Sequence, residues 1–189
     1  PRVERPDSWA PITSLEGAKV TGISRRGKFL WFELDRELAL VAHLGMSGQF
    51  LVARKDRPGP GHVRAHFELS KGLKKQELLF SDQRTFGWLS VDQLTDGIPQ
   101  SARHIALDPF AAAFDRSAVI ARMKARKAAI KSVILNQEIM SGVGNIYADE
   151  SLWRAKIHPE IPACDLSVKK IGSLVDAAVQ VMAEAVDEV

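Results

Sequence analysis

The hydrophobic pattern of this chain changes its period once, close to Asp108-Pro109, and this change limits the folds open to its 189 residues. Before that point, apolar runs of strand length are separated by turn signals rich in glycine, proline and charged residues. The run from Val63 to Leu69 alternates strictly between apolar and polar side chains, as a half-buried strand does. The first part is therefore predicted to form a β-sandwich or barrel, with no helix before residue 110.

Beyond Asp108-Pro109 the apolar residues recur at helical spacing. Ser117 is expected to cap a helix that runs to about residue 125, and a second helix is expected over about residues 128–138. The last helix reaches Val189 without a glycine cap, and the chain opens on a proline-rich stretch, so we expect both ends to be cuts in a longer protein. One apolar stripe of this helix is made of Ile171, Leu174, Val175, Ala178, Met182 and Ala185.

Composition excludes several classes of protein. No apolar run approaches the roughly 18 residues that a membrane span needs, so a transmembrane protein is excluded. The single cysteine, Cys164, excludes an intrachain disulfide framework and a structural four-cysteine zinc site, and a reducing, cytoplasmic setting is expected. A net charge of +3 permits nucleic-acid binding without requiring it.

The strongest local motif is the segment from Asn136 to Glu150, in which a glycine-containing turn separates two helical patterns. Asn145 is expected to cap the second helix, while Gly142 and Gly144 allow a tight turn. Free N–H groups at such a helix start can bind a phosphate. On spacing alone, the commoner interpretation is a helical hairpin whose glycines only allow close packing.

A basic run precedes this turn, with six basic residues and no acidic one between Arg116 and Gln137. A one-sided basic helix is usually a solvated face. One that leads into a phosphate-type turn favours binding to a sugar–phosphate backbone, and the pattern does not distinguish RNA from DNA.

Three loops of the first part carry residues that are unusual in loops. Met46 lies between two glycines, and the loop from Asp82 to Gly87 places Arg84 and Phe86 two residues apart. Such a pair can insert into a base stack, with phenylalanine as the wedge and arginine as a donor to a base. The commoner interpretation is a surface charge beside a core anchor. The third loop, Arg25 to Lys28, is basic and is a candidate for phosphate contact.

Two histidines have different surroundings in the sequence. His62 follows a loop of prolines and glycines, whereas His43 is expected to occupy a core position. The sequence contains no Ser-His-Asp set, no Walker loop and no metal-ligand cluster.

Taken together, five segments resemble the formamidopyrimidine-DNA glycosylase and endonuclease VIII family, in the family's order and over nearly the whole chain. They are Arg26 to Leu30, His43 to Gly48, Asp82 to Gly87, Gly142 to Glu150 and Trp153 to Pro159. Each motif is weak by itself, whereas five in register are highly specific. The methionine and arginine–phenylalanine loops resemble formamidopyrimidine-DNA glycosylase more than endonuclease VIII.

The resemblance implies an α+β fold with two domains. A β-sandwich would cover residues 1–108, with its N-terminal part missing, and a helix–two-turns–helix DNA-binding domain would cover residues 109–189. The family's C-terminal zinc finger is absent, so no cofactor is expected in this chain and zinc is expected in the missing finger. The implied partner is double-stranded DNA containing oxidised purines, bound by a monomer in the bacterial cytoplasm, in association with the nucleoid.

The resemblance also assigns roles by position. Met46, Arg84 and Phe86 match the residues that fill the gap left by a flipped base. Lys28 matches a lysine that contacts phosphate and takes part in β-elimination. Positions that bind DNA are matched by His62, Arg84, Lys127, Lys131 and Asn145.

The family's nucleophile is an N-terminal proline followed by a glutamate, whereas Pro1 is followed by Arg2 and Val3. The nucleophile is therefore not assigned to Pro1. The activity implied for the whole protein is that of a bifunctional DNA glycosylase and AP lyase, which removes 8-oxoguanine and formamidopyrimidines by base flipping, a Schiff base and β,δ-elimination.

Three other functions stay open. The chain could be a non-catalytic DNA-binding module, an endonuclease VIII-like glycosylase for oxidised pyrimidines, or an RNA-binding helical hairpin. The loops that carry Met46 and Phe86 argue against the last, because they have no role in it.

Overall fold

The computed structural model describes residues 3–53, 59 and 61–187. It divides into two compact units, Pro1–Ala102 and Arg103–Val189. Within the described residues, no helix combines the length and the apolar character that crossing a membrane requires.

The described part of the first unit contains eight strands in two antiparallel sheets. The strands are β1 (Val20–Arg26), β2 (Phe29–Leu34), β3 (Leu38–His43), β4 (Gln49–Val52), β5 (Val63–Lys71), β6 (Lys74–Ser81), β7 (Trp88–Thr95) and β8 (Ile98–Pro99). One sheet has the order β1-β2-β3-β7-β8 and the other the order β4-β6-β5. Short 3-10 turns lie at Ile12–Leu15 and Gln100–Ala102.

An apolar core lies between the two sheets, which confirms the β-sandwich. Phe32 of the first sheet packs against Phe50 of the second with ring centroids 5.2 Å apart, and Phe50 lies 5.1 Å from Phe80. A second cluster, around Trp31 and Val41, covers the opposite face of the first sheet. Because β3 is covered on both faces, its sequence is a continuous apolar run rather than an alternating one.

The second unit is helical, which completes the predicted α+β fold. The apolar stripe of its longest helix is buried as predicted from Ile171 to Met182, while Ala185 is only half-buried. This stripe packs into the core formed with the other helices. The helices are α1 (Arg116–Lys124), α2 (Ile130–Ile134), α3 (Asn145–Ala155) and α4 (Val168–Asp187).

The caps of two helices differ from the prediction. Asp115, not Ser117, caps α1, and its side chain accepts a hydrogen bond from the N–H of Ala118 at 3.0 Å. A carboxylate at this position also complements the positive end of the helix dipole, which a serine does not. Gly144 caps α3, so that Asn145 is the first helical residue rather than the cap.

The second helix is shorter than the predicted 128–138, because α2 ends at Ile134. Beyond it, side chains bond the local backbone. Asn136 Oδ1 accepts from the N–H of Glu138 at 2.9 Å, and Gln137 Nε2 donates to the carbonyl of Leu135 at 2.8 Å. Such bonds offer the backbone an alternative to helical pairing, and they turn this segment into a loop.

Candidate nucleic-acid interface

Three loops leave the five-stranded sheet at the same end. β2 begins at Phe29, β3 ends at His43 and β7 begins at Trp88, and these three residues are cross-strand partners. The turn that carries Lys28, the loop after β3 that carries Met46 and the loop before β7 therefore lie side by side. The strand register brings together three motifs that are far apart in the sequence.

An aromatic stack supports this end of the sheet. The His43 ring is stacked on Trp88, with centroids 5.8 Å apart and planes 11° apart, and Phe29 meets His43 edge-on at 5.7 Å. The Arg5 guanidinium carbon lies 4.5 Å from the centroid of the Trp88 ring. The sequence predicts a core position for His43. In the structure His43 is instead half-buried and belongs to the site.

The two ionisable groups at this end both have lowered pKa values. Burial lowers the pKa of Lys28 below its ordinary value of 10.5. Burial and, secondarily, the charge of Lys28 lower the pKa of His43 below 6.5. His43 Nδ1 accepts a hydrogen bond from the N–H of Gly45 at 3.1 Å, which keeps the proton of the neutral ring on Nε2. The pair presents an ammonium group of reduced pKa and a neutral imidazole donor.

Two large apolar side chains are exposed on the loops. Met46 is 69% exposed and Phe86 is 58% exposed, so Phe86 is not a core anchor. The Arg84 guanidinium carbon lies 5.6 Å from the centroid of the Phe86 ring, and the Arg84 side chain is itself exposed. The structure therefore presents a thioether, an aromatic ring and a guanidinium on neighbouring loops, all accessible to a ligand.

A buried carboxylate, Asp82, lies beneath these loops. Its Oδ1 accepts from the hydroxyl of Ser47 at 2.5 Å and its Oδ2 from the N–H of Gly87 at 2.7 Å. Burial acts to raise the pKa of Asp82, but hydrogen bonds from Ser47, Gly87, Arg84 and Thr85 outweigh it and lower the pKa below its ordinary value. The ionised carboxylate is therefore stable although no solvent reaches it.

His62 is attached to the same place through its backbone. It has a left-handed φ of +60°, and its carbonyl accepts from the N–H of Asp82 at 3.1 Å. Arg64 Nε donates to the carbonyl of Asp82 at 2.9 Å. The structure thus brings the exposed His62 beside the loop that carries Arg84.

In the second unit, part of the basic run serves the fold. Arg116 forms an ion pair with Asp176, at 2.7 Å between Nε and Oδ1. Lys124 Nζ donates to the carbonyls of Cys164 and Leu166, which ties α1 to the segment before α4. These two residues are structural, and the sequence alone does not separate them from the rest of the run.

Other basic residues of the run remain accessible. The side chains of Arg126 and Lys127 are exposed and form no hydrogen bond or ion pair with another described residue. Lys131 lies 2.7 Å from Asp149 Oδ1, but the side chains keep 35% and 58% of their exposure. An ion pair this exposed contributes about 0–1 kcal/mol, so Lys131 can exchange Asp149 for another anion.

One side chain sets the glycine turn. Gln137 Nε2 donates to the carbonyls of Leu135 and Val143, and its Oε1 accepts from the N–H of Gly142 at 3.0 Å. Gly142 has a φ of +95°, and a Cβ there would lie 2.7 Å from the terminal methyl of Met182. The turn therefore needs a glycine at 142.

The turn leads directly into the start of α3. Gly144 is extended, with φ −108° and ψ 179°, and no side chain caps this helix. The first N–H groups of α3 must therefore be satisfied by water or a ligand. Asn145 is exposed at the first helical position, beside these groups.

Some predictions fall outside what the structure describes. Pro1 and Arg2 lie outside the described residues, so the expectation about the nucleophile concerns residues that are not described. Within residues 3–53, 59 and 61–187, no group of three or more His, Cys, Asp and Glu side chains could hold a metal ion.

Sequence reasoning missed Asp82 and Gln137 as organising residues. Both lie inside segments that the sequence analysis identifies, so the sequence indicates where they are but not that they organise the backbone. Asp82 opens its loop, and it bonds the backbone N–H of Gly87 five residues further on. The usable signal was therefore a short polar side chain at the start of a loop, where it can bond the N–H groups that follow.

Both units match profiles of one family of DNA repair enzymes. Residues 2–89 match the profile described as "Formamidopyrimidine-DNA glycosylase N-terminal domain". Residues 105–189 match the profile described as "Formamidopyrimidine-DNA glycosylase H2TH domain". A β-sandwich followed by this helical domain places the chain in a class of DNA glycosylases. The chain belongs to the formamidopyrimidine-DNA glycosylase family.

Individual relatives agree with this assignment. Formamidopyrimidine-DNA glycosylase of Corynebacterium glutamicum is 46% identical over 180 residues, which are 91% of this chain and 62% of the relative. MutM (Fpg) of Thermus thermophilus is 34% identical with a TM-score of 0.76, over 98% of this chain and 67% of that protein. Lactococcus lactis Fpg (MutM), solved with Fapy-dG containing DNA, is 31% identical with a TM-score of 0.74, over 93% of this chain and 65% of that protein. The chain thus spans less than two thirds of the Corynebacterium relative.

Proposed function

We propose that this chain is the lesion-recognising, DNA-binding part of a base-excision repair glycosylase and AP lyase that removes oxidised purines from duplex DNA. One observation carries the proposal: the strand register sets the Lys28, Met46 and Arg84 loops side by side, with accessible side chains on top. An enzyme that acts on a base inside a duplex must first take that base out of the stack. It then needs side chains to occupy the space left behind.

Met46, Arg84 and Phe86 suit that task. An apolar wedge can separate neighbouring bases, and a guanidinium can donate hydrogen bonds to the base left without its partner. Met46 and Phe86 remain exposed in the folded chain, so insertion into a base stack would remove their apolar surface from water.

Phosphate contacts complete the proposed interface. Lys28 and His62 belong to the first unit, and Lys127, Lys131 and the N-terminus of α3 at Asn145 belong to the second. The two lysines of the second unit lie ahead of the glycine turn, where a sugar–phosphate backbone would meet both positive charge and free N–H groups.

The chemistry is proposed for the whole protein. A proline amine would attack C1′ of the flipped nucleotide, the damaged base would leave, and the resulting Schiff base would allow β- and δ-elimination of the flanking phosphates. Lys28 would hold phosphate and assist proton transfer during β-elimination, a role that its reduced pKa favours. A zinc finger beyond this chain would complete the protein, which we propose acts as a monomer on the nucleoid in the bacterial cytoplasm.

Borohydride trapping tests the proposal. The 189-residue chain and a form extended at both ends are mixed with a labelled duplex containing 8-oxoguanine opposite cytosine, alongside a gel shift. We expect both forms to shift the duplex and only the extended form to yield a covalent adduct. A covalent adduct with the short chain would contradict the assignment of the nucleophile to a residue outside it.

Two alternatives within DNA binding, and one outside it, have distinct outcomes in such assays. Binding of lesion duplex by both forms with no adduct from either would indicate a non-catalytic DNA-binding module. A preference of the extended form for duplexes with oxidised pyrimidines would indicate an endonuclease VIII-like specificity. Preferential binding to structured RNA would indicate the RNA-binding hairpin, which leaves the exposed Met46 and Phe86 unexplained.

A further inference from the structure

We propose that Asp82 is a positioning residue for lesion recognition, which joins the Met46 loop and the Arg84–Phe86 loop into one rigid unit through Ser47. The inference rests on the proposed function, because it concerns the side chains that would enter the base stack. It goes beyond that function because it assigns the alignment of these side chains to Asp82, which is itself buried.

The hydrogen bonds of Asp82 cross between the loops. Ser47, next to Met46, donates its hydroxyl to Asp82 Oδ1 at 2.5 Å. The N–H of Arg84 lies 3.2 Å from the same Oδ1 and 3.1 Å from Ser47 Oγ. One carboxylate oxygen and one hydroxyl therefore connect the residue beside Met46 to the backbone of Arg84.

The second carboxylate oxygen of Asp82 bonds the far end of the Arg84–Phe86 loop. Asp82 Oδ2 accepts from the N–H of Gly87 at 2.7 Å, directly after Phe86. Both ends of the Arg84–Phe86 loop are therefore bonded, through their backbone N–H groups, to one side chain. Asp82 is 0% exposed, so water does not compete for these bonds.

Backbone packing joins the same two loops. A Cβ added to Gly45 would lie 2.7 Å from both the carbonyl carbon of Phe86 and the nitrogen of Gly87. Gly45 itself has a φ of +61°. This contact requires glycine at 45 and leaves no room for the loops to slide past each other. The backbone next to Met46 is therefore packed against the backbone of Phe86 and Gly87.

The test compares two buried aspartates of the first unit. Asp82→Asn keeps the shape of the side chain but replaces an acceptor oxygen by a donor. Asp92→Asn is the matched control, because Asp92 is also buried and accepts from the N–H groups of Gln93 and Ser101, away from both loops. Affinity is measured for a duplex with 8-oxoguanine opposite cytosine and for the undamaged duplex.

We expect Asp82→Asn to reduce the preference for the lesion duplex about threefold to tenfold, the size of the net contribution of one hydrogen bond. Asp92→Asn is expected to lower the melting temperature without changing that preference. Ser47→Ala, which removes only the bridging hydroxyl, should act in the same direction and serves if Asp82→Asn does not fold. An unchanged preference in the folded variants would overturn the inference.

Combining Asp82→Asn with other substitutions separates a positioning role from a general effect on stability. In a chain that already carries Met46→Ala, Arg84→Ala and Phe86→Ala, Asp82→Asn should cause no further loss of preference, because its targets are gone. In a Lys127→Ala background the full loss should remain. A loss of the same size in both backgrounds would contradict a positioning role. Equal binding of both duplexes by the unsubstituted protein would overturn the proposed function itself.

Discussion

At the scale of single residues, the lesion recognition that we propose depends on large apolar side chains that remain exposed on the loops. Phe86 and Met46 are the clearest cases, since both are large, apolar and more than half exposed. The sequence places them in loops, but it cannot distinguish a wedge from a core anchor. The two are distinguished by whether the side chain is buried or exposed, and that depends on how the whole sandwich packs.

Replacing Phe86 with alanine should weaken binding to lesion duplex more than binding to undamaged duplex. We expect a loss of about 1–3 kcal/mol on the lesion duplex, the range for one ring stacked on a base. Fluorescence anisotropy measures both affinities. Leu73→Ala is the control, because Leu73 is another exposed apolar residue of the first unit but lies in the turn between β5 and β6. Equal losses on both duplexes would exclude the wedge.

The pKa of His43 should lie below 6.5 in the folded protein, because burial and then the charge of Lys28 disfavour its protonation. Lys28→Met removes that charge and should raise the pKa of His43, without restoring the ordinary value. Titration of the imidazole protons by NMR measures both. A pKa that does not rise in the variant would show that Lys28 exerts no field on this ring.

The same shift has a consequence for stability. The unfolded chain binds a proton at His43 more readily than the folded one, so the contribution of the neutral ring is fully present above pH 6.5. It declines as the pH falls from 6.5 towards the lower pKa of the folded state. Lys28→Met should make this decline smaller, which thermal unfolding across that range can measure.

At the scale of elements, local side-chain bonds decide where helices begin and end. The sequence predicts the strand at residues 63–69 and the long apolar stripe of α4, because both have a regular hydrophobic period. It fails at α2, where Asn136 and Gln137 bond the backbone and stop the helix. It also misplaces the caps of α1 and α3 by one or two residues, since both Asp115 and Ser117 could cap α1 and no side chain caps α3.

The glycine turn before α3 offers a test at this scale. Gly142→Ala should destabilise the second unit by about 1–3 kcal/mol, because alanine is strained at positive φ and its Cβ displaces the methyl of Met182. Gly97→Ala isolates the backbone effect, since Gly97 has a φ of +73° and nothing within 4 Å of an added Cβ. Denaturant unfolding measures both. If Gly142→Ala lowers the free energy of unfolding no more than Gly97→Ala does, the contact with Met182 does not contribute.

At the scale of the whole molecule, the basic run is where sequence and structure differ most. Six basic residues look equivalent in the sequence, yet Arg116 and Lys124 bind other parts of the second unit, while Arg126 and Lys127 remain accessible. The number of basic residues in this run therefore overstates how many of them are available to a ligand. The strand register likewise brings the Lys28, Met46 and Arg84 loops together, which spacing along the chain does not reveal.

Lys127→Ala should weaken binding to any duplex and reduce the slope of log affinity against log salt by about one, the effect of losing one phosphate contact. Lys169→Ala is the control, because it removes an equally exposed lysine from the start of α4. Affinities at several salt concentrations provide the slopes. If the unsubstituted chain and the Lys127 variant have the same slope, Lys127 does not contact a phosphate.

The loops at one end of the sandwich, we propose, recognise a lesion in duplex DNA. Competition binding tests this most directly, with this chain and three unlabelled competitors: duplex with 8-oxoguanine opposite cytosine, the undamaged duplex, and a structured RNA. We predict that the lesion duplex competes best and the RNA worst. Equal competition by all three would contradict lesion recognition, because the positive charge alone would then explain the binding.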